Sequence, residues 1–353
     1  MKVKFLIIGG GVAGLCAAIR LAELGEESVL IEGGSYPAHK ICGEFLSPEC
    51  MHVLHDWNIC PLPISEMVLK TSNNYVNFSF PSSAGGMSHI QLDTALAERA
   101  SQYGVQIKTN TQVCSLMPKR SSKESHLIQL SSGETLEALQ VIIATGRIPG
   151  YNIKAPLMSY IGFKAHFKDI ASDGILEMFS MPGAYLGIAP VEGQACNVAC
   201  LAELKQVQTF ADPQDFIENL ISLNSHLYQR LTKENNLFEK WMFAKVPDFG
   251  IKQTPDWLDA YYIGDAAATI PPACGNGLAL AISSGRLAAE YAINKRSQDF
   301  KRIWKKRCSS QIFWGKLLHR AMLNPCYLNP LLNLAGFFPI LSRKTYHFTR
   351  RAS

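Results

Sequence analysis

The chain reads as an α/β protein: a discontinuous, Rossmann-like dinucleotide-binding domain, an antiparallel β-sheet domain inserted into it, and a helical C-terminus. Three observations carry that reading. An apolar run at residues 3–8 leads into Gly9, Gly11 and Gly14 as G-x-G-x-x-G, then a helical pattern over 12–24, then a second apolar run at 28–31 that ends at Glu32. Beyond residue 160 the pattern changes to period-two alternation. At 261–263 a buried-type strand returns and runs into Gly264-Asp265, with a new helical pattern from about 277 to 294.

The opening unit follows from backbone physics. Gly9 permits the tight turn, Gly11 lets a diphosphate approach the backbone, and Gly14 lets helix and strand pack closely. The free N–H groups and positive dipole end of the helix, with Ala13 in its first turn, suit that diphosphate. Glu32 lies 18 residues after Gly14, at the end of the second strand, where a carboxylate bonds ribose hydroxyls. An acid there favours a free 2′-OH, hence NAD or FAD rather than NADP.

Farther along, Ser47 and Pro48 read as the N-cap and first residue of a helix running to about 57. Residues 68–70 and 75–80 read as strands of an inserted sheet. Residues 93–103 read as a helix stopped by Gly104, and 105–109 as a short strand before the stretch around Val113. A hairpin is expected at 126–130 and 135–139, with a separate buried strand at 141–144 running into Thr145-Gly146. Segments 160–167, 175–180, 184–188 and 195–201 read as successive antiparallel strands, and Asp212-Pro213 opens a helix to about 223. The predicted division is 1–62, 84–150 and 251–300 for the nucleotide domain, 63–83 and 151–250 for the sheet domain, and 301–353 for a basic, apolar helical segment.

A chain of 353 residues, 47% hydrophobic and 18% charged, suits two domains with a large core. The net charge of +5 hides an asymmetry: residues 301–353 hold eleven Lys or Arg and no Asp or Glu, so the remainder is net acidic. Lys2 and Lys4 before an apolar stretch imitate a secretory signal, but three glycines inside that stretch argue against one. No run of 18 apolar residues marks a membrane span. Ten cysteines follow no repeating frame; only Cys196 and Cys200 sit close, and their spacing on a strand is no zinc knuckle. Reduced thiols in the cytoplasm are the expectation. His52 and His55 read as helix surface, so neither a metal site nor a nucleic-acid partner is expected.

Four stretches share one reading: G-G-G-V-A-G at 9–14, K-I-C-G-E at 40–44, A-T-G at 144–146, and G-D-A-A-A-T-I-P-P-A-C-G-N-G at 264–277. Together, over about residues 1–300, they resemble the FAD enzymes with the p-hydroxybenzoate hydroxylase fold. The nearest branch is geranylgeranyl reductase, with flavin halogenases as neighbours. The resemblance implies FAD, with NAD(P)H as electron donor. Asp265 is then placed to accept hydrogen bonds from the ribityl chain; its ordinary alternative is a helix N-cap. Pro272, Gly275, Asn276 and Gly277 form a turn whose glycines admit a flat ring. The helix from 277 would aim its positive end at the flavin edge that turns negative on reduction. By resemblance, FAD contacts fall on Ala13, Glu32, Cys42, Gly43, Val113, Asp265, Gly277 and Leu278, with Gly146 and Gly264 in the flanking turns. An Arg common four residues before the Asp of L-D is His89 here, before Asp93. Lys40 either supplies a compensating cation or is a solvated lysine.

The reaction is read from what differs. Hydroxylases of this fold carry an Asp-Gly that helps with the nicotinamide donor, whereas Ala144-Thr145-Gly146-Arg147 lacks the Asp. The W-x-W-x-I-P of halogenases and the Y-x-W-x-F-P of the reductases correspond to Tyr185-Leu186-Gly187-Ile188-Ala189-Pro190. There Tyr185 and Pro190 remain, while Gly187 and Ala189 would widen the pocket. Cys42 would tune the flavin or donate a proton, or is a packed thiol; Tyr185 would orient substrate, or is core. The expected function is FAD-dependent double-bond reduction of an apolar prenyl, lipid, quinone or polyketide-like substrate. A monooxygenase working through a flavin C4a-peroxide stays open, as does a non-catalytic flavin-binding or electron-transfer protein.

The tail bears on the partner. Phe300, Ile303, Trp304, Cys308, Ile312, Leu318 and Met322 recur at helical spacing among basic residues, and 325–341 is greasy but broken by Pro330 and Pro339. Such a helix can lie on an anionic membrane, making the protein peripheral on its inner face, or it can cover the second domain.

Overall fold

The computed structural model describes residues 1–147 and 157–337. The predicted boundary at 150 and the tail beyond 337, with Pro339, lie outside the described residues. Lys2–Ile8 forms the middle of a largely parallel sheet, paired with Ser28–Ile31 on one side and Thr135–Ile143 on the other. Gln106–Lys108 extends the sheet beyond Ser28–Ile31. Ser28–Ile31 and the second half of Lys2–Ile8 are buried on both faces, so they read as continuous apolar runs. Ala260–Tyr262 adds in parallel beside Thr135–Ile143, returning the chain to the sheet it left.

The hairpin strand and the buried strand expected near 141 are one element. In Thr135–Ile143 the first residues pair antiparallel with His126–Leu130 and the last pair with Ala260–Tyr262. One strand thus changes partner midway, and its burial changes from alternating to continuous.

The second sheet runs in the order Met242–Pro247, Met158–Lys168, Ala195–Glu203, Ala184–Val191, Ile175–Met181, Leu62–Lys70, Tyr75–Gly86, Phe45–Leu46. It is antiparallel except where Ile175–Met181 meets Leu62–Lys70 in parallel. Met242–Pro247 escapes the sequence reading because its exposure does not alternate. The helix His89–Gln102 starts four residues before the expected 93, because the Ser88 hydroxyl accepts the Gln91 N–H and caps it there. Ser47 occupies the expected N-cap position of Pro48–Asp56, but its hydroxyl makes no cap bond.

The first helix, Val12–Glu23, lies directly on Gly277–Ile293. A Cβ at Gly285 would stand 2.3 Å from the Ala13 carbonyl oxygen. Ser297–Met322 then lays its apolar stripe on protein: Phe300, Trp304, Cys308 and Ile312 are buried in the same core as the parallel sheet. Those four side chains are covered by protein, while Phe313 and Leu317 of the same helix are exposed. Pro330 does not break the tail; it sits inside the helix Pro325–Phe337, at the cost of one backbone hydrogen bond. Among the described residues no helix is long and apolar enough to cross a membrane.

The glycine packing makes a direct prediction. A Cβ at Gly14 would lie 1.9 Å from the Gly9 carbonyl oxygen, so Gly14→Ala should cost about 1–3 kcal/mol in urea denaturation. A Cβ at Gly43 meets nothing within 4 Å, so Gly43→Ala should stay within about 0.5 kcal/mol of the parent.

Candidate functional site

Both sheets contribute to the walls of one cavity of 1770 Å³. Its first wall is the opening turn. Gly9 has φ +107°, and a Cβ there would sit 2.3 Å from the Ala144 carbonyl oxygen, so only glycine fits. Gly11 occupies the N-cap of Val12–Glu23 without a side-chain cap bond, which leaves first-turn N–H groups for a ligand. The Glu32 carboxylate accepts the N–H of Gly10 at 2.6 Å and that of Gly34 at 2.8 Å. A carboxylate has about four acceptor positions, so capacity remains for ribose hydroxyls.

The second wall is the returning turn, which meets the first at Ala13. Gly264 has φ +56° and Gly275 φ +64°, both conformations that favour glycine. The Asp265 carboxylate stands 3.4 Å from the Arg147 guanidinium, which also reaches the Ile41 carbonyl. Gly277–Ile293 begins without a side-chain cap bond from Asn276, and Gly277 and Leu278 of its first turn line the cavity. Two helix N-termini therefore open on one space.

Gly9, Gly11, Ala13, Glu32, Lys40, Cys42, Gly43, His89, Val113, Gly146, Gly264, Asp265, Pro272, Gly275, Gly277, Leu278 and Tyr185 all line this cavity. Two of the sequence-derived positions do not. Gly14 packs behind the wall against Gly9, and Asn276 is buried with its amide donating to Gln311 at 2.9 Å.

The segment 39–44 forms a polar side wall. Lys40 is no free surface lysine: its ammonium lies 2.6 Å from the Asp93 carboxylate, whose other oxygen holds His89 Nδ1 at 3.1 Å. Glu44 is fully buried and held by Lys164 and by His166 Nε2 at 2.7 Å. Burial alone would raise its pKa, but those two partners hold the carboxyl below its ordinary range. Lys164 and His166 carry no motif that sets them apart in the strand Met158–Lys168.

Beyond this wall the cavity becomes apolar, bounded by Leu69, Phe78, Met178, Leu201, Phe249 and Leu332 among others. Gly187 lines it as expected, and a Cβ there would meet Met178 Sδ at 3.0 Å. Ala189 does not widen the pocket: it does not line the cavity and is buried in a cluster with Phe45 and Ile64. The Tyr185 hydroxyl accepts the Ala273 N–H at 3.1 Å and stands 3.3 Å from His319 Nδ1, at the junction of the polar and apolar parts. His319 comes from the long C-terminal helix and was not legible as a site residue. Burial, helped by Arg320, pushes its pKa down to about 4.

These features fit the dinucleotide implied by the sequence. Uncapped N–H groups suit a diphosphate, and the carboxylates of Glu32 and Asp265 line the same cavity. At Gly43 and Gly146 an added Cβ would meet nothing within 4 Å, so the middle is open.

Comparison with known proteins agrees. The FAD binding domain family matches residues 4–39. The menaquinone reductase of Mycolicibacterium smegmatis is 23% identical over 348 residues, covering 86% of this chain and 79% of that protein. The digeranylgeranylglycerophospholipid reductase of Methanosarcina mazei is 23% identical over 365 residues, covering 92% and 86%. The crystal structure of a flavoprotein/dehydrogenase from Cytophaga hutchinsonii superposes with a TM-score of 0.79 at 19% identity, covering 92% of this chain and 87% of that one; this likeness shows the fold.

The depressed His319 predicts acid sensitivity. Its native imidazole stays neutral down to about pH 4, while the unfolded one takes a proton below the ordinary 6.5. Its contribution to stability is thus present above pH 6.5 and lost as pH falls toward 4. In His319→Phe, the stability lost between pH 7 and pH 5 in urea titrations should shrink by about 2 kcal/mol.

Proposed function

We propose, on the premise that this chain is an FAD-dependent oxidoreductase of the geranylgeranyl reductase and p-hydroxybenzoate hydroxylase fold superfamily, that it saturates a double bond in a long apolar quinone or lipid. The observation that carries this reading is the apolar part of the cavity. A volume of 1770 Å³ exceeds the roughly 300–1,000 Å³ of an ordinary small-ligand site, which supports a cofactor and a long chain together. The relatives named menaquinone reductase and digeranylgeranylglycerophospholipid reductase support the substrate class.

We assign the diphosphate to the N–H groups at Gly11–Ala13, ribose to Glu32, the ribityl chain to Asp265, and the ring to the wall of Gly43, Gly275 and Gly277. Bound FAD, once reduced by NAD(P)H, supplies the hydride. Leu69, Phe78, Met178, Leu201 and Phe249 bury the substrate and exclude water. Tyr185, held by the Ala273 N–H and by His319, orients a substrate oxygen beside it.

The route in is the last helix. Tyr327, Leu331 and Leu334 are 69%, 54% and 47% exposed at spacings of four and three residues, and both leucines also line the cavity. Lys316 and Arg320 on the preceding helix are exposed cations. An apolar mouth beside basic residues suits an anionic bilayer.

Two outcomes are expected. Reduced enzyme without O2, given menaquinone or a digeranylgeranyl lipid, should yield a product heavier by two hydrogens per bond, read by mass spectrometry. A product that forms only with O2 and gains an oxygen atom contradicts the reading. The double variant Leu331→Asp, Leu334→Asp should sediment less with anionic vesicles than the parent, while equal sedimentation removes the membrane route.

A further inference from the structure

The segment 40–44 carries a side-chain chain that the cofactor assignment does not use. Lys40 holds one oxygen of Asp93, the other oxygen holds His89 Nδ1, and His89 and Cys42 both line the cavity, with the imidazole acting on the Cys42 thiol. Cys42 Sγ also accepts the Glu44 N–H at 3.4 Å. Its carbonyl accepts the Asn197 amide at 3.0 Å, which fixes the backbone, and its side chain lies in the cavity wall. Asp93 and His89 are 1% and 8% exposed at their side chains, and His89 meets water only through the cavity it lines.

Proton positions follow from these partners. An ionised Asp93 requires a hydrogen on Nδ1 of His89 and stabilises the imidazolium. The second ring nitrogen either accepts from a thiol or donates to a thiolate. The Glu44 N–H pointed at the same sulfur favours the thiolate. We propose that Cys42, His89 and Asp93 form a thiolate–imidazolium–carboxylate triad in the cavity wall, in which His89 stores the proton that saturation of a double bond consumes and Cys42 passes it on.

The charged groups facing the sulfur are His89 and Glu44, which act in opposite directions. Burial alone would raise the Cys42 thiol, and Glu44 adds to that, but the His89 hydrogen bond and charge hold it below its ordinary value. Burial would lower His89; Asp93 first, then Cys42, push it up to about 9. Lys40 is tied to Asp93, while Lys164 and His166 from the neighbouring strand are tied to Glu44 and leave the triad its own proton. Histidine alone suits position 89, because an Arg there would supply the cation but would not release a proton near neutral pH.

The delivery half rests on the reductive reading above, whereas the ion pair does not. In balance, the reduced flavin would give one carbon a hydride, while the His89 imidazolium hands its proton to the Cys42 sulfur, which passes it to the other carbon and is a thiolate again. His89 is then reprotonated from water. Cys42 is the group that touches substrate, and His89 and Asp93 act through it.

The test is alkylation of the purified flavoprotein by iodoacetamide across pH, read at each cysteine by peptide mass spectrometry, with exposed Cys60, Cys114 and Cys326 as internal references. Cys42 should show a midpoint at least two pH units below theirs. His89→Gln should carry it above theirs, because burial and the Glu44 charge then face only the Glu44 N–H. Asp93→Asn should raise it by a smaller step, while His89→Arg should keep it low. A Cys42 midpoint at or above the references in the parent, or no reaction at any pH, overturns the triad. His89→Arg should also lose tenfold or more in saturated product; parent-like turnover there overturns delivery by His89 and leaves the ion pair standing. Absence of saturated product from the parent removes the reductive reading without touching the alkylation result.

Discussion

The rest of the structure depends on how closely two distant stretches of chain approach at Ala13. A Cβ at Gly264 would stand 2.9 Å from Ala13 Cβ, and one at Gly285 would stand 2.3 Å from the Ala13 carbonyl oxygen. No side chain separates the opening turn from the returning turn. Because the helices meet backbone to backbone, their N-terminal ends open on the same space, and two weak dipole ends act on one ligand. A larger residue at either glycine would separate the walls and divide the cavity.

That constraint explains what was legible. The opening turn, the return at residue 264 and the period-two strands each follow from local rules: glycine where a side chain cannot fit, continuous apolar runs in a sheet buried on both faces, alternation in the second sheet. Less legible were features set by partners distant in sequence. Thr135–Ile143 changes neighbours midway, and Met242–Pro247 is a strand because Met158–Lys168 pairs with it. Asn276 belongs to a legible motif, yet Gln311 from the long helix takes its amide. His319 joins the site through the same helix, and nothing near it in sequence announces that.

The tail shows how one amphipathic pattern can be divided between two roles. The stripe of Ser297–Met322 covers the cofactor half, as Phe300, Trp304 and Ile312 show, and brings His319 to Tyr185. The exposed Leu331 and Leu334 belong instead to Pro325–Phe337, where they border the apolar part of the cavity. Helical spacing reveals the stripe but not the surface it meets, since protein and lipid reward the same residues.

The polar wall at 40–44 and the apolar wall beyond it divide the cavity: one side presents charged side chains, the other aliphatic and aromatic ones. A crystal structure of the protein with FAD tests this arrangement most directly. One FAD per chain is expected, its diphosphate within hydrogen-bond reach of the N–H groups of residues 11–13 and its ring against the Gly275–Gly277 turn. A flavin bound outside this cavity, or one that touches only one of the two turns, would contradict it.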